Sequence, residues 1–396
     1  MADHRGSDGY PADQFRRGLV AHCYRMLGSV REAEGVVRKT YHLAASRYSE
    51  LATSPYGATQ GLRGPDGRAG SWLYGTATRY CLTAAADPRP LPKDLTRPSR
   101  EPEGKLAERP EVLWLEPAPD HLIDSGRADP SAASGRANPL STSGRADPLS
   151  TSGRADRLVP GSPAGPLVAG GRGGSQYGVG HVGLEFVAAL QRLPAEQRAA
   201  LTLRDVERWP STAIAEVLET SPFAIDNLIA DARDRFDPGP GHLTAADQRL
   251  LLERYALAFE QYDVPAIVEL FDADAIWEMP PFTSWFRGPR NIGRLISTHC
   301  PAEGPGDQVL VPIKANGQPG FAVYMRDPVE NVHRAFQIQV LTLTVTGIIH
   351  AVAFFDLTLF EAFNLPDLFT SLPDSQADHR QRIHIERSRQ HHDNGN

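Results

Sequence analysis

Residues 193–236 read LPAEQRAALTLRDVERWPSTAIAEVLETSPFAIDNLIADARDRF. In the second half Ile225, Leu228, Ile229 and Ala232 fall at i, i+3, i+4 and i+7, the spacing that lines one face of an α-helix. Ser221 fits the N-cap of that helix and Pro222 its first position, where the missing N–H has no intrahelical partner to lose. STAIAEVL forms a shorter helix before it, and Glu219-Thr220-Ser221 the turn between them. With the preceding VGLEFVAALQRLPAEQRAALTLRDV, the block from Val182 to Phe236 predicts a trihelical unit that ends in a helix-turn-helix. Shape alone does not assign a role, because small α-bundles share it. The last helix carries three aspartates against two arginines, so the charge of its outer face becomes the question.

C-terminal to this block the period changes. LTAADQRLLLERYALAFEQYD is a helix with Leu251, Tyr255, Phe259 and Tyr262 on one face. The β-like runs AIWEM, VLVPIKA, GFAVYMR, FQIQVLTLTV and IIHAVAFFD follow, which predicts an α+β domain. In FQIQVLTLTV the apolar parity switches at Val340-Leu341, the mark of a bulge or of a strand covered on both faces. N-terminal to the block, a nine-residue unit recurs as SGRADPSAA, SGRANPLST, SGRADPLST and SGRADRLVP. It offers almost nothing to bury and predicts a low-complexity, disordered linker, drawn from 89 to 180. Within it, VLWLEPAPDHLID at Val112–Asp124 is an apolar island able to dock.

The first eighty residues read as helices. FRRGLVAHCYRMLGS places Phe15, Leu19, Cys23, Met26 and Leu27 on one face, and Gly28-Ser29 stops one helix and caps the next, which runs to about Tyr48. GSWLYGTATRYCLTAAA is a third helix, ending before Asp87-Pro88. The chain has 396 residues and a formal net charge of −7, room for two or three domains and no global basic excess. Any nucleic-acid contact must therefore be local. MADHRGSDGYPADQF lacks the apolar segment of a signal peptide and no run of eighteen apolar residues occurs, so a cytoplasmic protein with no membrane partner is expected. Cys23, Cys81 and Cys300 lack metal spacing and suit reduced thiols.

FRRGLVAHCYRMLGSVREAEGVVRKTY, GSWLYGTATRYCL and FVAALQRLPAEQRAALTLRDVERWPSTAIAEVLETS resemble, in order, the region 2 and region 4 signatures of extracytoplasmic-function sigma factors. EMPPFTSWFRGPRNI, KANGQPGFAVYMRDP and QIQVLTLTVTGIIHAVAFFD resemble the SnoaL-like domain, a cone-shaped barrel fused to an actinobacterial subgroup of them. The resemblance implies five segments: a region 2-like helical domain at 13–88, the linker at 89–180, a region 4-like helix-turn-helix at 181–238, the SnoaL-like domain at 243–370, and a disordered tail at 371–396. It implies core RNA polymerase and promoter DNA as partners, a SnoaL-like domain that contacts the sigma domains intramolecularly, and neither metal nor organic cofactor. DNA contacts fall by resemblance on Arg79, Arg89, Ser211, Thr212, Ser221, Asn227, Arg233 and Arg235, and polymerase contacts on Glu32, Glu34, Arg38 and Lys39.

Departures from the pattern are specific. Gly35 stands where an aspartate is usual, Arg38 where a glutamine is usual and Lys39 where a glutamate is usual, which reverses charge on the polymerase-docking face. Asp226, Asp231 and Asp234 outnumber the arginines of the recognition helix and oppose phosphate contact. The expected function is that of an alternative sigma factor modulated by its SnoaL-like domain. The alternative is a sigma-derived regulatory or ligand-binding protein with weakened polymerase and DNA binding. A further alternative is a SnoaL-type enzyme using Asp272, Asp274, Glu278, His299, His350 or Asp356 as a pocket base, though no pair has diagnostic spacing and solvation or capping is the plainer role. Trp277, Met279, Phe282, Trp285 and Phe286 form an aromatic stretch suited to a pocket, to docking, or to ordinary core packing.

Overall fold

A computed structural model of the chain describes residues 12–52, 69–84, 87–123, 183–235 and 245–369. The nine-residue repeats and the C-terminal tail lie outside the described residues. Helices α1 (Ala12–Leu27), α2 (Val30–Ala52) and α3 (Ala69–Ala84) pack together through Leu19, Cys23, Met26, Ala33, Val37, Leu73 and Cys81. Gly28 ends α1 at φ +68°, a conformation that glycine adopts without a Cβ penalty. Ser29 Oγ then accepts the Glu32 N–H at 3.3 Å and caps α2, as the Gly-Ser pair predicts.

Part of the stretch that composition assigns to the linker is instead an ordered strap, residues 87–123, containing the single turns α4 (Pro92–Leu95) and α5 (Asp120–Ile123). Eight of its 37 residues are prolines, which lack the N–H, and it has no amphipathic period, so it has short local turns and takes much of its order from partners. Ser99 N donates to Trp285 O at 2.8 Å, Arg109 N to Pro281 O at 2.9 Å, and Thr283 N to Ala107 O at 2.9 Å. Leu115 and Ala118, in the apolar island, are buried.

The region 4-like block forms four segments rather than three, because Pro194 breaks the first: α6 (Leu184–Gln191), α7 (Ala195–Leu201), α8 (Ser211–Leu218) and α9 (Pro222–Arg235), with one π-helical turn at Thr202–Val206 after α7. Arg198 holds the ends of two helices at once. Its guanidinium donates to Leu190 O at 3.0 Å, Leu193 O at 3.1 Å and Met26 O, satisfying carbonyls that helix termini leave open.

The C-terminal domain begins with α10 (Ala245–Glu260) and α11 (Val264–Glu269). Strands β1 (Phe271–Glu278) and β2 (Phe286–Arg287), helix α12 (Pro289–His299), then β3 (Gln308–Ala315), β4 (Gln318–Asp327), β5 (Val332–Thr344), β6 (Gly347–Phe354), the short α13 (Thr358–Ala362) and β7 (Leu368–Phe369) complete it. The strands lie in the order β2-β1-β6-β5-β4-β3, with β7 paired to β5 and β1 parallel to β6. One face meets α10 and α12 and is filled by Tyr255, Phe259, Phe271, Trp277, Phe286, Phe321 and Leu341. Gly293 lets α12 approach α11, since a Cβ there would meet Val268 Cγ2 at 2.5 Å.

The opposite face is apolar as well. Val311, Ala322, Tyr324, Ile338, Val340, Val352 and Phe354 belong to one contiguous cluster with Leu19, Tyr24, Leu115, Ala118, Ile123 and Leu184. Val340 and Leu341 therefore face two different cores, which explains the parity switch, and register shifts at Val323/Tyr324 and Thr342/Leu343 add bulges. Tyr24 closes the joint: its hydroxyl donates to Glu116 O at 2.6 Å and accepts from Asn316 Nδ2 at 3.0 Å, while Asn316 and Ala118 exchange two bonds of 2.8 Å.

Tyr24→Phe removes the hydroxyl and leaves a buried carbonyl and a buried amide short of a partner. We expect a loss of about 1–3 kcal/mol and a melting midpoint lower by roughly 2–10 °C. Thermal unfolding followed by far-ultraviolet and aromatic circular dichroism checks this. An unchanged midpoint would mean that the joint carries no stability.

Candidate nucleic-acid interface

Helix α9 is anchored as its sequence dictates. Ile225, Ile229 and Ala232 are buried against α7 and α8, and Ser221 Oγ accepts the Ala224 N–H at 3.1 Å. This fixes an outward stripe of Phe223, Asp226, Asn227, Ala230, Asp231 and Asp234, all exposed. Ser211 Oγ donates to Asp226 Oδ1 at 2.5 Å across the turn, and Thr212 is exposed beside it. Arg233 is turned to the preceding segment, with Nε 3.2 Å from Asp205 Oδ2 and a second bond to Oδ1. Arg235 is the last residue of α9, and its side chain lies outside the described residues. Across 183–235 nine acidic residues face six basic ones, so the module has no net positive field to draw in phosphate.

The other arginines expected at DNA are engaged internally. Arg79 Nη2 donates to Glu216 O of α8 at 3.3 Å. Arg89 is only 6% exposed and pairs with Glu32 at 2.6 Å and Glu116 at 3.5 Å while donating to Trp114 O. That same pair draws in Glu32, and Glu34 pairs with Arg16 at 3.0 Å, so both acids of the expected polymerase face have partners within the chain. Arg38 and Lys39 are exposed on α2. Gly35 leaves open space between its turns, bounded only by the Arg38 guanidinium at 3.9 Å.

The aromatic stretch divides. Trp277, Met279 and Phe286 are core, and Phe282 packs half-buried on Phe355. Trp285 Nε1 donates to Thr96 O of the strap at 2.9 Å, so this residue docks a segment of its own chain. The candidate bases scatter. Asp272 and Asp274 lie in β1, with Asp274 3.4 Å from Arg287. Asp356 accepts the Thr358 N–H and hydroxyl at 2.9 and 2.7 Å, and His299 Nε2 lies 3.1 Å from Pro102 O.

Glu278 and His350, however, come together in a buried charge cluster that the sequence does not announce. His350 Nε2 contacts Glu278 Oε1 at 2.7 Å and its Nδ1 contacts Glu185 Oε1. Lys93 Nζ lies 2.6 Å from Glu185 and 3.7 Å from Glu278, whose other oxygen accepts the Lys93 N–H at 2.6 Å. Both ring nitrogens thus face carboxylate oxygens, and only imidazolium offers two donors. Burial and the Lys93 ammonium push the His350 pKa down, but the two carboxylates outweigh them and leave it raised. Glu185 is held well below the usual carboxylate range by His350 and Lys93 in spite of its burial.

A second buried pair joins α1 to the π turn, with Arg25 Nη1 3.7 Å from Glu207 Oε1. Burial pushes the Glu207 carboxyl up to about 7 against the pull of Arg25 and a hydrogen bond from Tyr74. Among the described residues no group of three or more His, Cys, Asp and Glu side chains forms a metal site, and no helix is long and apolar enough to cross a membrane.

Comparison with known proteins agrees with this geometry. The profile of Sigma-70, region 4, matches residues 183–236, the segment from α6 to the end of α9. The ECF RNA polymerase sigma factor SigG of Mycobacterium tuberculosis, in strains CDC 1551 and H37Rv, is 39% identical over 374 residues, covering 92% of this chain and 85% of SigG. The crystal structure of the Mycobacterium tuberculosis extracytoplasmic function sigma factor SigJ shares the fold, with a TM-score of 0.51 at 18% identity over 90% of this chain and 98% of SigJ. With 39% identity to SigG over 92% of its length and a region 4 module at residues 183–236, this protein belongs to the extracytoplasmic-function RNA polymerase sigma factors.

Proposed function

We propose that this chain directs core RNA polymerase to a set of promoters as an alternative sigma factor, and that its SnoaL-like domain modulates it by holding the region 4 module. Family membership supports the first part. The second part rests on the charge cluster. Lys93 comes from the strap, Glu185 from the first helix of region 4, and Glu278 and His350 from adjacent strands of the barrel. Such a group is costly to break from one side, because removing a partner leaves a charge buried alone. The cluster therefore favours one placement of α6 over all others. The barrel's own interior is filled by aromatic side chains, which suits a docking role better than catalysis.

Transcription with purified core polymerase from an actinobacterial source and a library of upstream regions tests the first part. Promoter-dependent transcripts are expected with the full chain. Their absence with every template would favour a regulatory protein that no longer initiates, a reading to which the exposed Arg38 and Lys39 lend weight. For the same reason Arg38→Gln with Lys39→Glu is expected to tighten binding to core polymerase by roughly three- to tenfold, measured by co-purification or surface plasmon resonance. Equal or weaker binding would show that this face of α2 does not meet an acid-seeking surface.

Glu207 and His350 each make stability depend on pH. A folded-state pKa above the unfolded one stabilises at low pH, and that stability is lost as pH rises through the folded value. Glu207 acts from the ordinary carboxylate range up to about 7, and His350 from the ordinary imidazole value upward. Between about pH 5 and pH 8 these two contributions are lost, while His22, pushed down to about 3 by burial and by Arg25, works the other way up to the ordinary imidazole value, so each is read from the difference between wild type and variant. By calorimetry, the wild-type midpoint relative to Glu207→Gln should fall with rising pH in the lower part of this range, and relative to His350→Gln in the upper part. A difference that stays flat or rises would contradict the assignment.

A further inference from the structure

The apolar residue at the head of the recognition helix has no place in the sequence-based set of DNA contacts. Phe223 is the second residue of α9, directly after Pro222, and is 75% exposed. Its neighbour Ile225 turns into the core and Ala224 is half-buried while it points away, so its exposure follows from the helix phase and not from a loose end. Asn227, one turn later, lies on the same stripe, with Asp226 beside it and Asp231 a turn further. The stripe thus opens with an apolar ring and continues with Asn227, which both donates and accepts, and with carboxylate acceptors.

We propose that Phe223 is a specificity-determining residue that packs on the 5-methyl group of a thymine in the major groove, with Asn227 reading an adjacent adenine. This rests on the reading of α9 as the DNA-contacting helix. In a helix-turn-helix the N-terminal residues of the second helix reach base edges, and Phe223 and Asn227 are the outward residues of that first part. Apolar side chains recognise the thymine methyl, an asparagine pairs with adenine N6 and N7, and carboxylates accept from the cytosine amine. Guanine presents N7 and O6, both acceptors, and would meet Asp226 and Asp231 with repulsion. Arg233, which would read guanine, is bound to Asp205. The donor and acceptor pattern of the stripe therefore selects thymine, adenine and cytosine edges and disfavours guanine on the strand it reads.

The test uses full-length protein bound to core polymerase. A preferred duplex is selected from a random library, and each thymine in it is then replaced by deoxyuridine, which removes only the methyl group. Wild type should lose about fourfold in affinity at one position, the value of one buried methyl-sized group. Phe223→Ala should lose as much on thymine DNA, lose nothing further on deoxyuridine, and melt at the wild-type temperature. Phe223→Leu should keep the methyl preference. A wild type indifferent to deoxyuridine everywhere, or a Phe223→Ala protein that keeps the preference, would overturn the inference alone. Failure to select any sequence would overturn both it and the promoter reading. Loss of transcription by Phe223→Ala without a change in methyl preference would assign the ring to a protein contact instead, and would also overturn the inference.

Discussion

A sheet with apolar residues on both faces has to be covered twice. Along β5, Ile338 and Val340 alternate with Leu341, and the first two share a cluster with Leu19 and Leu184 while the last faces the interior of the cone. Each such side chain is worth about 1.5–3 kcal/mol when removed from water, so leaving Tyr324, Val340, Val352 and Phe354 wet would cost the barrel much of its stability. The same holds in the other direction for the helices, whose Leu115, Ala118 and Ile123 find their cover in that cluster. Strap, helices and barrel share a single core, and the Tyr24, Glu116 and Asn316 joint sits where the three meet.

Apolar cover alone does not choose an orientation. The buried charges supply what it lacks. Lys93, Glu185, Glu278 and His350 bring two cations and two carboxylates into contact, so the group is neutral only when every member is present and His350 carries its proton. Replacing such a group by packed hydrocarbon is often neutral for stability, which suggests specificity of placement as its use. Arg198 acts by a different route. It binds carbonyl oxygens at the ends of α1 and α6, so its contribution depends on backbone geometry and not on a counter-charge.

The parts of this structure visible in the sequence are those with a local cause. Ile225, Leu228, Ile229 and Ala232 are read from their spacing, Ser221 and Gly28 from capping chemistry, and the double cover of β5 from its parity switch. The missed parts have distant causes. Residues 87–123 lack any period of their own and are ordered by bonds to residues such as Trp285 and Pro281. Helix α12 opens on Gly288-Pro289 with four polar or small residues in its first turns, and its fit depends on Gly293 against Val268. Arg89 looks like a DNA contact until Glu32 and Glu116 are placed beside it, and nothing in a linear reading pairs Glu185 with His350. Charged residues are legible by type, but their partners are set by topology.

The acidic balance of the region 4 module bears on how such a helix reads DNA at all. Counterion release supplies most non-specific affinity, and its strength scales with the phosphates that lysine and arginine neutralise. A module with Asp226, Asp231 and Asp234 on its outer stripe and Arg233 held by Asp205 gives up much of that term. Non-specific affinity falls with that term, whereas base-edge contacts of the kind proposed for Phe223 and Asn227 do not depend on it. Specificity is the ratio of the two affinities, set against a large excess of competing sites. A weakly attracted helix carried to DNA by polymerase can therefore discriminate better than a strongly basic one, since the polymerase contributes the proximity that phosphate contacts would otherwise provide.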